Sequence, residues 1–263
     1  MNKRTIFCEG PDDLAALREI ATRLLGAIVL HGMPTGGASL ERIARFQLEQ
    51  DTVEVKAGGG KSELARRGAL YLETLPPMPD IGQVSLLFDP DEEPVERFFA
   101  GVPRAIHDHA PSWTLVDAPK RAGCWRATRQ GDASLVLAAV AWWGDVEVLD
   151  GLSDAQSLER VILSVARRAL SEEELAFLVR VLEGIHALPG RRATWKAAVH
   201  VLCALADAKT PGHAMAQRFL GQNKSFRPHV EDALGKTQEP GGAVLRDELA
   251  FMFTGYDPRS ATS

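Results

Sequence analysis

Segments typical of strands and of helices alternate through the first hundred residues, and this alternation constrains the fold most. Runs typical of strands lie at residues 5–8, 27–30, 52–56 and 84–88. Patterns typical of helices lie at residues 14–25, 40–48, 62–75 and 94–100. Such alternation is typical of a parallel sheet with helices on both faces. We therefore predict an α/β fold with a mostly parallel sheet flanked by helices.

The second half of the chain has a different pattern. Strands are predicted at residues 113–116 and 133–142, and helices at 155–169, 172–188, 194–207, 213–220 and 244–253. The chain of 263 residues, of which 45% are hydrophobic, is long enough to bury a sizeable core. We predict an α/β core over residues 1–150 and a mainly helical part over residues 151–263 that packs on this core.

Charge and composition exclude several classes of protein. The formal net charge of -5 gives no overall attraction to nucleic acid or to anionic membranes, although a local basic face suffices to bind nucleic acid. No stretch approaches the roughly 20 apolar residues of a membrane span. Acidic residues near the N-terminus come too early for a signal peptide, and the three cysteines form no CxxC pair. We expect a cytoplasmic protein with reduced cysteines and no membrane partner.

Acidic residues follow two of the predicted core strands. Glu9 comes directly after the first strand, and Asp89 and Asp91 come after the strand at 84–88. In open α/β sheets, sites form beyond the carboxyl ends of the strands, so these distant residues are expected to meet at one edge. Crowded carboxylates repel one another unless a cation holds them, and Mg²⁺ prefers oxygen ligands. The pattern predicts a site for Mg²⁺ or Mn²⁺, with a solvated acidic turn as the alternative.

Two motifs resemble those of a known family. The segment Ile6–Asp13, with the sequence IFCEGPDD and a helix after it, resembles the first motif of Toprim domains. The segment Val84–Asp91, VSLLFDPD, resembles their second motif, a hydrophobic strand that ends in Asp-x-Asp. Toprim domains occur in topoisomerases, bacterial primases, small recombination proteins and OLD-family nucleases, and carry out phosphoryl transfer on nucleic acid with a divalent metal. The resemblance implies a Toprim-like, Rossmann-like core and a metal-dependent nuclease.

The resemblance also implies roles for single residues. Glu9 matches the motif glutamate, which acts as a general acid or base or as a metal ligand. Asp89 and Asp91 match the metal-binding aspartates. Asp13 matches a position that is often acidic and that would bind a second metal.

The C-terminal part adds two candidate residues. The segment from 194 to 213 resembles small stand-alone Toprim-like proteins related to the OLD nucleases, in which a late lysine assists catalysis. Lys196 is the candidate for this role and would stabilise charge on the phosphoryl group. Glu159 lies where related proteins often carry another acid and is a candidate metal ligand. For both residues, a solvated helix face is an equally good explanation.

A glycine-rich turn, Gly58–Ser62, precedes one of the predicted helices. It is not a nucleotide-binding P-loop, because Val55 occupies the place of the required first glycine. Backbone amides at the start of a helix and a lysine are suited to contact a phosphate. Gly59, Gly60 and Lys61 are therefore candidate phosphate-binding residues.

The function implied by these motifs is cleavage of DNA or RNA by a divalent-metal-dependent phosphodiesterase. Many Toprim proteins have a glycine shortly after Asp-x-Asp, whereas this chain has Glu92, Glu93 and Pro94 there. The alternative is therefore a catalytically silent Toprim-fold protein that binds or regulates. Because OLD-type nucleases join an ATPase to the Toprim module, a separate ATPase partner in a phage-defence complex is part of this alternative. A primase- or ligase-like activity is a third option, and a homo-oligomer is left open.

Overall fold

A computed structural model of the protein describes residues 3–31, 42–90, 93–118, 121–129, 134–142, 157–191, 193–206 and 240–255. Its strands are β1 (Lys3–Cys8), β2 (Ile28–His31), β3 (Arg42–Leu48), β4 (Asp51–Ala57), β5 (Ile81–Phe88), β6 (Trp113–Asp117), β7 (Cys124–Arg129) and β8 (Ser134–Ala141). Its helices are α1 (Pro11–Leu24), α2 (Gly60–Thr74), α3 (Val95–His109), α4 (Leu158–Ala169), α5 (Glu172–His186), α6 (Trp195–Ala206) and α7 (Pro240–Thr254). The chain is a mixed α/β protein. The predicted helix at 213–220 and residues Asp91 and Glu92 lie outside the described residues.

The strands form one sheet in the order β2-β3-β4-β1-β5-β8-β7-β6. The four central strands β4, β1, β5 and β8 are parallel neighbours. The strands outside them on both sides pair antiparallel. The sheet is therefore mixed, and parallel pairing is confined to its centre. As a consequence, the carboxyl ends of the four central strands lie at the same edge of the sheet.

Two segments differ from the sequence prediction. Residues 40–48 were expected to form a helix, whereas Arg42–Leu48 is strand β3, paired antiparallel with β4. The side chains of Ala44, Phe46 and Leu48 are buried with the alternation of a strand. Strand β7 was not predicted, because it is only six residues long and its first two residues, Cys124 and Trp125, are both buried, which breaks the alternation of a strand. It connects β6 to β8.

Helices α2 and α3 bury a hydrophobic cluster against one face of the sheet. Phe7 of β1, Leu72 of α2, Leu86 of β5 and Ile106 of α3 belong to this cluster. Gly68 lets α2 approach β5 closely, since a Cβ atom at this position would lie 2.7 Å from a methyl carbon of Leu86. The close approach holds the start of α2 near the carboxyl ends of the central strands.

The chain divides into two compact units. One unit comprises residues 1–141 together with the chain from Asp247, and the other comprises Trp142–Arg246. The end of α7 thus belongs with the α/β unit, although the sequence suggested a helical part that runs to the C-terminus. The ring of Phe253 packs edge-on against Phe46 at 5.6 Å, and the buried Arg4 donates a hydrogen bond to the carbonyl of Thr254.

The second unit contains α4, α5 and α6. Helix α6 packs against both α4 and α5. The guanidinium of Arg160 on α4 lies over the ring of Trp195 on α6, 5.3 Å from its centre. In neither unit does a described helix have the length and apolar character needed to cross a membrane.

Candidate functional site

Glu9 and Asp89 meet at the carboxyl edge of the sheet. Strands β1 and β5 are parallel neighbours, with Cys8 opposite Leu87. The residues that follow these strands therefore lie side by side. The backbone N–H of Asp89 donates a hydrogen bond of 2.7 Å to Oε1 of Glu9, and both residues are half-buried. The structure thus brings together two of the three acidic residues that the motifs single out.

The glycine-rich turn follows β4, which pairs with β1 on the side opposite β5. The N–H of Gly58 donates to the carbonyl of Cys8 at 3.2 Å, and the N–H of Gly60 donates to the carbonyl of Glu9 at 3.1 Å. Gly59 and Gly60 have φ angles of 83° and 68°, a left-handed conformation that favours glycine. Helix α2 begins at Gly60, so the partial positive charge of its N-terminus lies beside Glu9.

Lys61 reaches across to the segment that follows β5. Its Nζ donates a hydrogen bond of 2.8 Å to the carbonyl of Pro90 and lies 3.7 Å from a carboxylate oxygen of Glu93. The motif analysis connected Lys61 with phosphate but did not identify these contacts. They place its positive charge next to Asp89, at the same edge as Glu9.

Asp13 closes the turn that follows β1. Its Oδ2 accepts a hydrogen bond of 2.9 Å from the N–H of Gly10, and the residue is only 7% exposed. The N-cap of α1 is Gly10, and Pro11 lies in the first turn of the helix. One oxygen of Asp13 thus supports the backbone at Glu9, and its role as a second-metal ligand stays a prediction.

The thiol of Cys8 lies under this turn. Burial raises the pKa of the Cys8 thiol well above its ordinary value, and the nearby carboxylate of Asp13 raises it further. The thiol is therefore protonated at neutral pH, and the weak donor Sγ lies 3.8 Å from the carbonyl of Gly10. Cys8 packs as a small apolar group.

Glu159 and Lys196 belong to the second unit. Glu159 is half-buried in the first turn of α4, and Lys196 is exposed in the first turn of α6. Their metal-binding and catalytic roles stay predictions.

The metal-binding capacity of the site depends on its carboxylates. Within the described ranges, no group of three or more His, Cys, Asp or Glu side chains is arranged to hold a metal ion. Asp91, the third acid of the motifs, lies outside these ranges. Mg²⁺ typically takes one or two carboxylates and completes its shell with water and substrate phosphate. The hard oxygen donors of Glu9 and Asp89 fit this chemistry.

Comparison with known proteins identifies a fold relative but no family. No protein-family model matches the chain, and no curated protein matches it significantly. A hypothetical protein from Pyrococcus horikoshii OT3 has a similar structure, with a TM-score of 0.57 and 13% identity over 88% of this chain and 95% of that one. At this identity the likeness shows a shared fold. The fosfomycin resistance protein FosX from Mesorhizobium loti matches 52% of this chain and 89% of its own at 14% identity, with a TM-score of 0.20 that is too low to carry an argument.

Proposed function

We propose that the protein is a Toprim-type phosphodiesterase that cleaves DNA or RNA with the help of Mg²⁺ or Mn²⁺. The observation that supports this proposal most strongly is the 2.7 Å hydrogen bond between Glu9 and the backbone of Asp89. It joins the two motif acids, which are far apart in the sequence, at the edge where α/β proteins bind their ligands.

Glu9, Asp89 and Asp91 would hold the metal. When bound, a divalent metal polarises a phosphoryl oxygen and makes a bound water a better nucleophile. Glu9 would either bind the metal or accept the proton of the attacking water. The water oxygen bonds to phosphorus, the P–O bond to the leaving group breaks, and the leaving oxygen takes up a proton.

Lys61 and the start of α2 would orient the scissile phosphate. The N–H of Gly60 is engaged with the carbonyl of Glu9, so the contribution of this turn comes from the positive end of the helix and from Lys61. The Lys61 ammonium, which contacts the carbonyl of Pro90 and lies 3.7 Å from Glu93, would turn toward the phosphate when the substrate binds next to Asp89. Asp13 would add a ligand for a second metal ion.

The test is cleavage of labelled single- and double-stranded DNA and RNA with Mn²⁺ and with EDTA. We expect cleavage with Mn²⁺ alone, and a loss of roughly 10²-fold or more in Asp89→Asn. The matched control is Asp117→Asn, which removes the charge of an exposed aspartate on β6 and should cleave like the wild type. Cleavage that survives EDTA, or an Asp89→Asn variant with full activity, would contradict the proposal.

A thermal-shift titration with Mn²⁺ separates the enzyme from the catalytically silent alternative. A ligand that binds only the folded state raises the melting temperature as it saturates its site. A rise in the wild type that is absent in Asp89→Asn, without any cleavage, would favour a binding or regulatory protein. A pull-down would then search for the ATPase partner.

A further inference from the structure

A groove runs along helix α3, between this helix and the first turns of helix α2. This α2–α3 groove has a volume of about 1020 Å³, and its charged lining residues are Lys61, Arg66, Glu93, Arg97, Arg104 and Asp108. Lys61 stands at one end of it and also contacts the carbonyl of Pro90. The groove therefore opens directly beside the Glu9–Asp89 edge. Sequence patterns did not single out its arginines, which are spread over two helices.

Positive charge dominates the lining. Four cations face two carboxylates among the lining residues, and Arg66 also pairs with Glu63 at 2.6 Å. Apart from His109, these side chains carry a formal charge of +1, on a chain whose net charge is -5. Arg97 and Arg104 are 74% and 87% exposed and pair with Glu93 and Asp108 at 2.9 and 3.8 Å. Exposed pairs of this kind contribute little stability, so the guanidinium groups can exchange these carboxylates for another anion at small cost.

The two arginines are spaced along one side of α3. Seven residues separate them in the sequence, which corresponds to two turns and roughly 10 Å along the helix. Guanidinium groups bind phosphate oxygens in a bidentate manner. A row of cations that ends at Lys61 matches a polymer with regularly repeated phosphates better than it matches a single small anion.

We propose that the α2–α3 groove binds the phosphodiester backbone of a nucleic acid and guides it to the Glu9–Asp89 edge. Arg97 and Arg104 hold phosphates along α3, and Lys61 holds the phosphate next to the acidic pair. The proposal rests on the proposed function for the identity of the polymer, but binding through the groove requires neither metal nor cleavage.

Binding is measured by fluorescence anisotropy on the full chain, with labelled single-stranded DNA and RNA in EDTA, between about 50 and 200 mM salt. The test variant is Arg97→Gln/Arg104→Gln. Its matched control is Arg180→Gln, which removes an exposed arginine from α5. Because each lost phosphate contact lowers the slope of log K against log salt by about 0.7 for single strands, the double variant should lose roughly 1.4 from the slope. Its affinity should fall at least ~10-fold at low salt.

The control should keep the wild-type slope and affinity, and Arg97→Lys/Arg104→Lys should restore most of the slope. The DNA and RNA arms show which polymer binds more tightly. Absence of binding by the wild type overturns the proposal. So does a double variant with wild-type slope and affinity, or a control that weakens binding as much as the double variant.

Asp89→Asn separates failure of the groove from failure of the proposed function. In EDTA this variant should bind both oligonucleotides at least as tightly as the wild type, because it removes a negative charge beside the phosphate, and it should lose cleavage with Mn²⁺. If binding depends on the two arginines but the wild type never cleaves, the groove stands and the proposed function fails. If the wild type cleaves and the double variant binds and cleaves normally, the proposed function stands and the groove proposal is overturned.

Discussion

Substitutions at Glu9 separate the part this residue plays in the fold from its proposed part in metal binding. Oε1 of Glu9 accepts a hydrogen bond of 2.7 Å from the half-buried N–H of Asp89. Alanine removes the acceptor, whereas glutamine keeps an oxygen at the same position. Both substitutions remove the charge, so the repulsion between the two carboxylates is relieved equally. The difference between the two variants therefore reports the hydrogen bond together with the packing of the half-buried side chain beyond Cβ.

The expected difference in the free energy of unfolding follows from the charge of the hydrogen-bond acceptor. A hydrogen bond to a charged acceptor contributes about 1.5–3 kcal/mol, and a bond between neutral groups contributes about 1 kcal/mol. In EDTA, we expect the free energy of unfolding of Glu9→Ala to lie about 1 kcal/mol below that of Glu9→Gln. Urea unfolding, with the m-value checked for constancy, measures this difference. Equal stabilities would refute the view that Glu9 ties β1 to the end of β5.

The same two variants test the metal site. In the wild type, Mn²⁺ at a hundred times its dissociation constant should add about 2.7 kcal/mol to the free energy of unfolding. Both variants should lose most of this gain, because a neutral amide oxygen binds Mn²⁺ more weakly than a carboxylate and a methyl group does not bind it. A full response to Mn²⁺ in Glu9→Gln would refute the role of Glu9 as a ligand.

Three further predictions concern the fold around the site. Gly68→Ala should lower the free energy of unfolding by about 1 kcal/mol or more, because its Cβ would lie 2.7 Å from a methyl carbon of β5. Gly101→Ala on α3 has nothing within 4 Å of the added Cβ and should instead raise the free energy of unfolding by up to about 1 kcal/mol. Urea unfolding compares the two variants, and a Gly68→Ala variant more stable than the wild type would contradict the close packing of α2 on β5. Arg4→Ala breaks the ion pair of the buried Arg4 with Asp51 at 2.6 Å and should lower the free energy of unfolding by about 3 kcal/mol. A change near zero in urea unfolding would contradict the part that Arg4 plays in holding the end of α7. The raised pKa of Cys8 means that its thiol ionises first in the unfolded chain. The free energy of unfolding should therefore fall as the pH rises above the ordinary thiol pKa of about 8.5, by up to about 1.4 kcal/mol per pH unit. Cys8→Ala should show a shallower fall in thermal melts at pH 9–10.5, and an unchanged slope would contradict the burial of this thiol.

The centre of the sheet was predictable because its strands are buried on both faces. Such strands have nearly continuous apolar runs, and those at residues 5–8 and 84–88 end directly at acidic residues. Parallel strands bring their carboxyl ends to one edge, so the meeting of Glu9 and Asp89 followed from the pattern. The proposed roles of these residues come from the resemblance of the two motifs to those of Toprim domains.

The outer strands were harder to predict, because local periodicity is ambiguous there. In β3, the spacing of Ile43, Ala44 and Leu48 also suits a helix. Pairing with β4 decides in favour of the strand. This pairing is a tertiary effect that local propensity does not contain.

Contacts between distant segments explain what else the sequence analysis missed. The hydrogen bond from Lys61 to Pro90 depends on β1 lying between β4 and β5. The order of strands in a sheet cannot be predicted from any single segment of the sequence. The return of α7 to the α/β unit depends likewise on the packing of Phe253 on Phe46. The α2–α3 groove arises only once the two helices lie side by side.

The most direct test of the metal site is a crystal structure of the protein soaked in Mn²⁺, with the ion located by its anomalous scattering. We predict a peak at roughly 2–2.5 Å from carboxylate oxygens of both Glu9 and Asp89, at the edge beside Lys61. Saturating Mn²⁺ with no peak at this edge, or a peak bound only by residues elsewhere, would contradict the account.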